Sequence, residues 1–80
     1  MGMVVVEWHD AMTCYNRLTE EESLKQTMPL YKTLGFLISR DPTTTIVAYE
    51  KNDQGEYRDV ALIPSGCILS IRELALGSAV

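Results

Sequence analysis

Tyr31-Lys32-Thr33-Leu34-Gly35-Phe36-Leu37-Ile38-Ser39-Arg40-Asp41-Pro42-Thr43-Thr44-Thr45-Ile46-Val47-Ala48-Tyr49-Glu50 is the stretch that decides the fold. Leu30, Leu34, Phe36 and Ile38 share one face of a strand predicted over 30–39. Gly35 lies on the opposite face, where a glycine inside a strand marks a sharp bend or a close backbone approach. Small barrels need such a bend to close. Arg40-Asp41-Pro42-Thr43 breaks the alternation, and Asp followed by Pro sets up a type I turn. Thr44 to Lys51 is dense in β-branched residues and predicts a second strand.

Downstream, Asn52-Asp53-Gln54-Gly55 reads as a hairpin turn with Gly55 in the left-handed position. Glu56 to Ile63 predicts a strand, and Pro64-Ser65-Gly66 breaks it, because proline supplies no ladder hydrogen bond. Cys67 to Arg72 predicts a short fifth strand. The tail, Glu73 to Val80, is expected to begin with a helical turn and then fray. Upstream, residues 3–8 alternate, with Val4, Val6 and Trp8 on one face and Val5, Glu7 and His9 on the other. Trp8 is expected in the core.

Residues 10–18 have no period. Thr19 is a good N-cap, and Glu22 three residues on completes a capping box. Glu20, Glu21 and Glu22 suit the positive end of a helix dipole. Pro29 forces an exit. The expectation is a helix over 20–27 with Leu24 and Met28 as its inward stripe. The order is therefore a strand, a helical insertion at about 13–29, and four strands in a meander. This predicts an all-β fold: a small, five-stranded, strongly bent, partly open β-barrel of Sm or SH3 topology, with one short helix inserted between strands 1 and 2. Residues 1–80 are expected to form a single domain.

Val60, Ala61, Leu62 and Ile63 are apolar on both faces, as are Ile68 and Leu69, and Ile71 extends one of them. A strand apolar on both sides needs cover on both sides, and an exposed apolar edge must be paired. The last two strands are thus expected to meet a neighbouring copy through Val60, Leu62, Ile63, Ile68, Leu69 and Ile71. Head-to-tail pairing of this kind closes into a ring when the rotation permits.

Composition limits the function. Hydrophobic residues make up 46% of the 80, which is globular. A chain this short buries only about 60–65% of its unfolded surface, so its own core is marginal. Seven basic and eleven acidic side chains give a net charge of −4, a poor balance for generic nucleic-acid binding. No apolar run is long enough to span a membrane. The first residues lack the features of a signal peptide or a myristoylation site, and a cytoplasmic location is the default expectation. Cys14 and Cys67 have neither disulfide-framework nor metal-ligand spacing, and are expected to be small half-buried residues.

These residues resemble the Sm-like (LSm) family. Gly35-Phe36-Leu37-Ile38-Ser39-Arg40-Asp41, followed by Ile46-Val47-Ala48, is similar to the family's first signature. Ala61-Leu62-Ile63-Pro64-Ser65-Gly66-Cys67-Ile68-Leu69-Ser70-Ile71 is similar to its second, with Ile63-Pro64-Ser65 nearest the Val-Pro-Ser turn of the bacterial RNA-chaperone branch. Val4-Val5-Val6-Glu7-Trp8-His9-Asp10 resembles the first strand. Small uncharacterised phage-encoded proteins with a Trp-x-Asp-Ala opening look similar too, which would imply a host cytoplasm.

The resemblance implies a homo-oligomeric ring of five to seven subunits, with pore-lining turns at Arg40, Asp41, Thr44 and Thr45 and at Ser65 and Gly66. It also has departures. The family carries its helix before strand 1, whereas here it lies between strands 1 and 2. Thr45 stands where the family has a base-holding Asn. Pro64 and Ser65 replace its Arg-Gly, and Gly55-Glu56-Tyr57 replaces the bacterial Tyr-Lys-His run. Asp41 matches, in a position that mainly orders the turn.

Two functions follow. The favoured one is a ring acting as a non-catalytic interaction or assembly module, protein-binding or regulatory. The alternative is a ring that recognises single-stranded RNA at its pore, with Arg40 as the one charge there able to meet phosphate. Catalysis is not expected: His9 and Asp10 are adjacent on a strand and point to opposite faces, and no nucleophile–base pair, phosphate loop, cofactor motif or metal spacing is present. His9 is expected at the surface.

Overall fold

A computed structural model of the chain describes residues 2–74. Of the tail expected at 73–80, Glu73 ends the last strand and does not begin a helical turn, and 75–80 lie outside the described residues. Five strands and one short helix are present: β1 (Met3–His9), α1 (Glu20–Leu24), β2 (Leu30–Arg40), β3 (Thr44–Lys51), β4 (Tyr57–Pro64) and β5 (Ile68–Glu73). A 3-10 turn, Ser65–Cys67, joins β4 to β5. Gly55 turns the β3–β4 hairpin at φ 79°, which glycine adopts without steric cost.

All five strands form one antiparallel sheet in the order β4-β3-β2-β1-β5. This corrects the meander expected for the last four strands. β5 does not return beside β4 but pairs with β1, Val6 opposite Ile71 and Trp8 opposite Ile68. Chain neighbours thus lie at opposite edges of the sheet. In a flat sheet four strand spacings would separate them by about 19 Å. The four residue steps from Pro64 to Ile68 span at most roughly 14 Å even when extended. The sheet therefore curls at that end. It is not closed, because β4 and β5 share no ladder among the described residues.

Gly35 is where the curl is made. β2 pairs with β1 from Leu30 to Phe36, and with β3 from Phe36 to Arg40. Its two halves have different partners, and Gly35 stands at the changeover. A Cβ there would collide with the Ala48 carbonyl oxygen and lie 2.8 Å from Val47 Cγ1. Only glycine lets β3 pass that close. The irregularity between Leu37 and Ser39 adds a bulge to the same strand, which increases local twist.

The core is a cluster of Val4, Val6, Val47 and Ile63, with Trp8, Leu37, Ile68 and Ile71 packed against it. Val4 opposes Gly35 and Val6 opposes Thr33, so Thr33, Gly35 and Leu37 face inward. The apolar face of β2 read from the sequence is thus the outer one: Leu30 and Leu34 are exposed, and Phe36 and Ile38 only half-buried. Two close approaches decide this. β3 must cross over Gly35, and the Trp8 indole N–H donates to the buried Thr33 Oγ1 at 3.0 Å.

The helix also departs from expectation. Its cap is made as predicted: Glu22 N donates to Thr19 Oγ1 at 3.1 Å, and the Thr19 hydroxyl meets Glu22 Oε1 at 3.0 Å. It nonetheless ends at Leu24 and buries no residue. Leu24 and Met28, expected to point inward, are 80% and 57% exposed. A well-formed cap stabilises a helix start but supplies no surface for the helix to pack on.

Candidate functional site

The residues singled out as lining a pore come together at one end of the curled sheet. The β2–β3 turn is built on Asp41. Its Oδ1 accepts from the backbone N–H groups of Thr43 and Thr44, each at 2.8 Å. Its own N–H donates to the Thr44 carbonyl at 3.1 Å. The bonds from Thr44 and Thr43 favour the charged carboxylate and hold Asp41 below the ordinary aspartate pKa.

Ser65 ties this turn to the 3-10 turn. Its N–H donates to the Thr43 carbonyl at 3.0 Å, and its hydroxyl donates to the Asp41 carbonyl at 2.6 Å. Thr45 Oγ1 lies 3.0 Å from Ser65 Oγ. Since the Ser65 proton is committed to Asp41, the Thr45 hydroxyl is the donor in that pair. Thr45, expected to line a pore, is 0% exposed. It is a buried tie between the two turns. Arg40, Asp41, Thr43 and Gly66 remain exposed, with Thr44 and Ser65 half-buried at the rim. Arg40 joins no ion pair among the described residues, where the pairs are Glu21–Lys25, Glu50–Arg58 and Glu7–Arg72.

The sheet edges are the second feature. Among the described residues β4 pairs only with β3, and β5 only with β1, so each presents one row of backbone groups with no ladder partner there. Val60, Leu62 and Leu69 are exposed on them, Leu62 by 66%. Of the other residues expected at a subunit contact, Ile63 is 1% exposed and belongs to the chain's own core. Ile68 and Ile71 are half-buried against that core. Two-sided hydropathy could not separate the core-facing Ile63 from the outward Leu62, because both positions carry the same kind of side chain.

Other groups do not assemble. His9 is half-buried and not at the surface as expected, and its Nδ1 is buried with no hydrogen-bond partner among the described residues. Cys14 is exposed where a half-buried thiol was expected, and Cys67 is half-buried. No set of three metal-ligating side chains converges among the described residues, and no described helix is long and apolar enough to cross a membrane. A groove of about 390 Å³ lies on the β3–β4 hairpin between Glu50, Lys51, Asn52, Glu56, Tyr57 and Arg58. Its volume suits a small molecule, but such sites have predominantly apolar walls, and five of these six side chains are charged or amide-bearing.

Sequence reasoning missed Asp59. It takes φ 57° within β4, a conformation aspartate tolerates better than most residues. The ladder passes from Ala48–Val60 to Glu50–Arg58 around it. The chain matches no protein-family model, and neither a curated protein nor a solved structure is significantly similar to it.

Proposed function

We propose that the chain is a subunit of an Sm-like ring of five to seven copies, a partly open barrel that acts as a non-catalytic interaction or assembly module for protein partners. The carrying observation is the pair of open edges. β4 and β5 are the two free strands of one curled sheet, and Val60, Leu62 and Leu69 on them are exposed. One free edge on each side gives a head-to-tail contact in which the β4 of one copy pairs with the β5 of the next. The dimensions support this reading. The chain measures 53 × 24 × 22 Å, with a radius of gyration of 16.4 Å, against roughly 12 Å for a compact chain of this length. So extended a chain, around so small a core, gains by burying its apolar edges on a copy of itself.

Protein binding is favoured over nucleic acid by the net charge of −4 and by the loss of Thr45 into the interior. The RNA reading keeps one supporting observation, the exposed Arg40 beside the turn network, a side chain that joins no ion pair among the described residues. Light scattering tests the ring: a mass of five to seven subunits is expected, and a stable monomer at micromolar concentration ends the proposal. Pull-down from a host lysate with and without nuclease then separates the partners. Capture that survives nuclease is expected. Nuclease-sensitive capture, together with micromolar binding of U-rich or A-rich oligonucleotides by fluorescence anisotropy, would replace it with RNA recognition.

A further inference from the structure

We infer that the insertion at residues 10–29 is an intersubunit clamp, whose Leu24 and Met28 rest on Val60 and Leu62 of the next copy; the inference rests on the head-to-tail ring proposed above. Among the described residues, every hydrogen bond made by the insertion stays within it. Its one ion pair, Glu21–Lys25, is internal too. A helix of this length is unstable alone in water, and α1 buries nothing on its own sheet. The insertion nevertheless carries a complete capping box and, besides Met12 and Tyr15, the exposed apolar side chains of Leu24 and Met28.

The strand order says which surface covers them. The insertion leaves from the C-terminal end of β1, and β1 lies beside β5. In the proposed ring β5 receives the β4 of the next copy. The departure point at His9 is then two strand spacings, about 10 Å, from that β4. Trp8 opposes Ile68, the first residue of β5. A β4 added antiparallel to β5 brings its C-terminal half, with Leu62, to the same end. Val60 and Leu62 oppose Ala48 and Ile46 on the outer side of the sheet, and their own chain leaves them exposed. One chain thus carries both an apolar arm without a seat and an apolar seat without an arm, on elements that the ring makes neighbours.

Cysteine cross-linking tests the clamp. With Cys14 and Cys67 replaced by serine, Leu24→Cys and Leu62→Cys in one chain should give, on mild oxidation, a ladder of covalent oligomers up to the ring size. A mixture of the two single-cysteine proteins should stop at the heterodimer. An oxidised monomer band, showing the two positions joined within one chain, would overturn the clamp. A ring by light scattering without cross-links overturns the clamp and leaves the ring standing. A monomer at micromolar concentration overturns both. As a second measurement, Leu24→Asp, at a side chain exposed in the single chain, should raise the subunit concentration needed for half-assembly at least tenfold. An unchanged midpoint counts against the clamp.

Discussion

The two connections that flank β2 are built in opposite ways. After β2, the chain turns at Asp41 and is bonded at once to the 3-10 turn from the far end of the sequence, through Asp41, Thr43, Thr45 and Ser65. Before β2, residues 10–29 form a cap, a helical turn and an exit, and among the described residues their hydrogen bonds run only to one another. Both segments are polar and both lie between strands. The difference shows that local order and global attachment are separate properties. A good capping box organises the insertion, while only buried partners such as Thr45 make a loop part of the fold.

The largest effect is expected where the tied end depends on the bend of β2. Gly35→Ala places a methyl group against the Ala48 carbonyl, and backbone cannot move aside as a flexible side chain can. The variant should lose about 4 kcal/mol of unfolding free energy, a large part of the roughly 5–15 kcal/mol that holds a typical domain folded. Urea unfolding followed by Trp8 fluorescence measures it. A loss below about 1 kcal/mol would show that β3 can back away from β2 and that the bend is not fixed by that contact.

Next comes the tie itself. Thr45→Val keeps the shape of a fully buried side chain and removes the donor to Ser65. About 1–2 kcal/mol should be lost, and Thr45→Ser should recover part of it. A neutral Thr45→Val would mean that Ser65 is held by Asp41 and Thr43 alone.

A pH titration probes the same turn more gently. Asp41 has a lowered pKa because Thr44 N–H and Thr43 N–H bond its charged form. Its contribution is therefore complete above the ordinary aspartate value, about 3.9. It is lost as pH falls from there through the lowered folded-state value. Asp41→Asn keeps an acceptor oxygen but cannot titrate. The thermal midpoint of the natural chain relative to Asp41→Asn should fall as the pH drops below about 3.9. Parallel acid limbs would remove Asp41 from the account of the turn.

How legible each region was follows from the same contrast. Strand positions, the Asp41 turn, Gly55 and the Thr19 cap are local matters, set by residues within a few positions of one another, and they stand as expected to within a residue or two. The placement of β5 beside β1 was not legible, because a short connection normally joins neighbours, and only the curl around Gly35 lets it join opposite edges. The inward face of β2 was misread for a related reason. Periodicity shows which face is apolar, but Leu30 and Leu34 are apolar and outward, while Thr33 is inward because Trp8 bonds it. Of the candidate site, the Asp41 turn was recognisable from its Asp-Pro chemistry, whereas Arg40 and Ser65 were singled out only through the family resemblance. The burial of Thr45 depends on a partner far along the chain and could not be read from its neighbours.

The smallest effect is expected in the insertion, and its smallness is the point. Replacing an N-cap threonine by alanine commonly costs about 0.5–2 kcal/mol. In Thr19→Ala that loss should not reach global unfolding, because no hydrogen bond among the described residues carries it from α1 to the sheet. The unfolding free energy of the dilute single chain should change by less than about 0.5 kcal/mol. Limited trypsin digestion should meanwhile cut first after Arg17 and Lys25, sooner in Thr19→Ala than in the natural chain. A full-sized loss in urea would couple the helix to the sheet and dissolve the contrast between the two connections. At concentrations where the ring forms, a seated clamp should slow cleavage after Lys25 more than cleavage after Arg17. Lys25 directly follows the apolar Leu24, whereas Arg17 precedes the cap and lies outside the proposed contact.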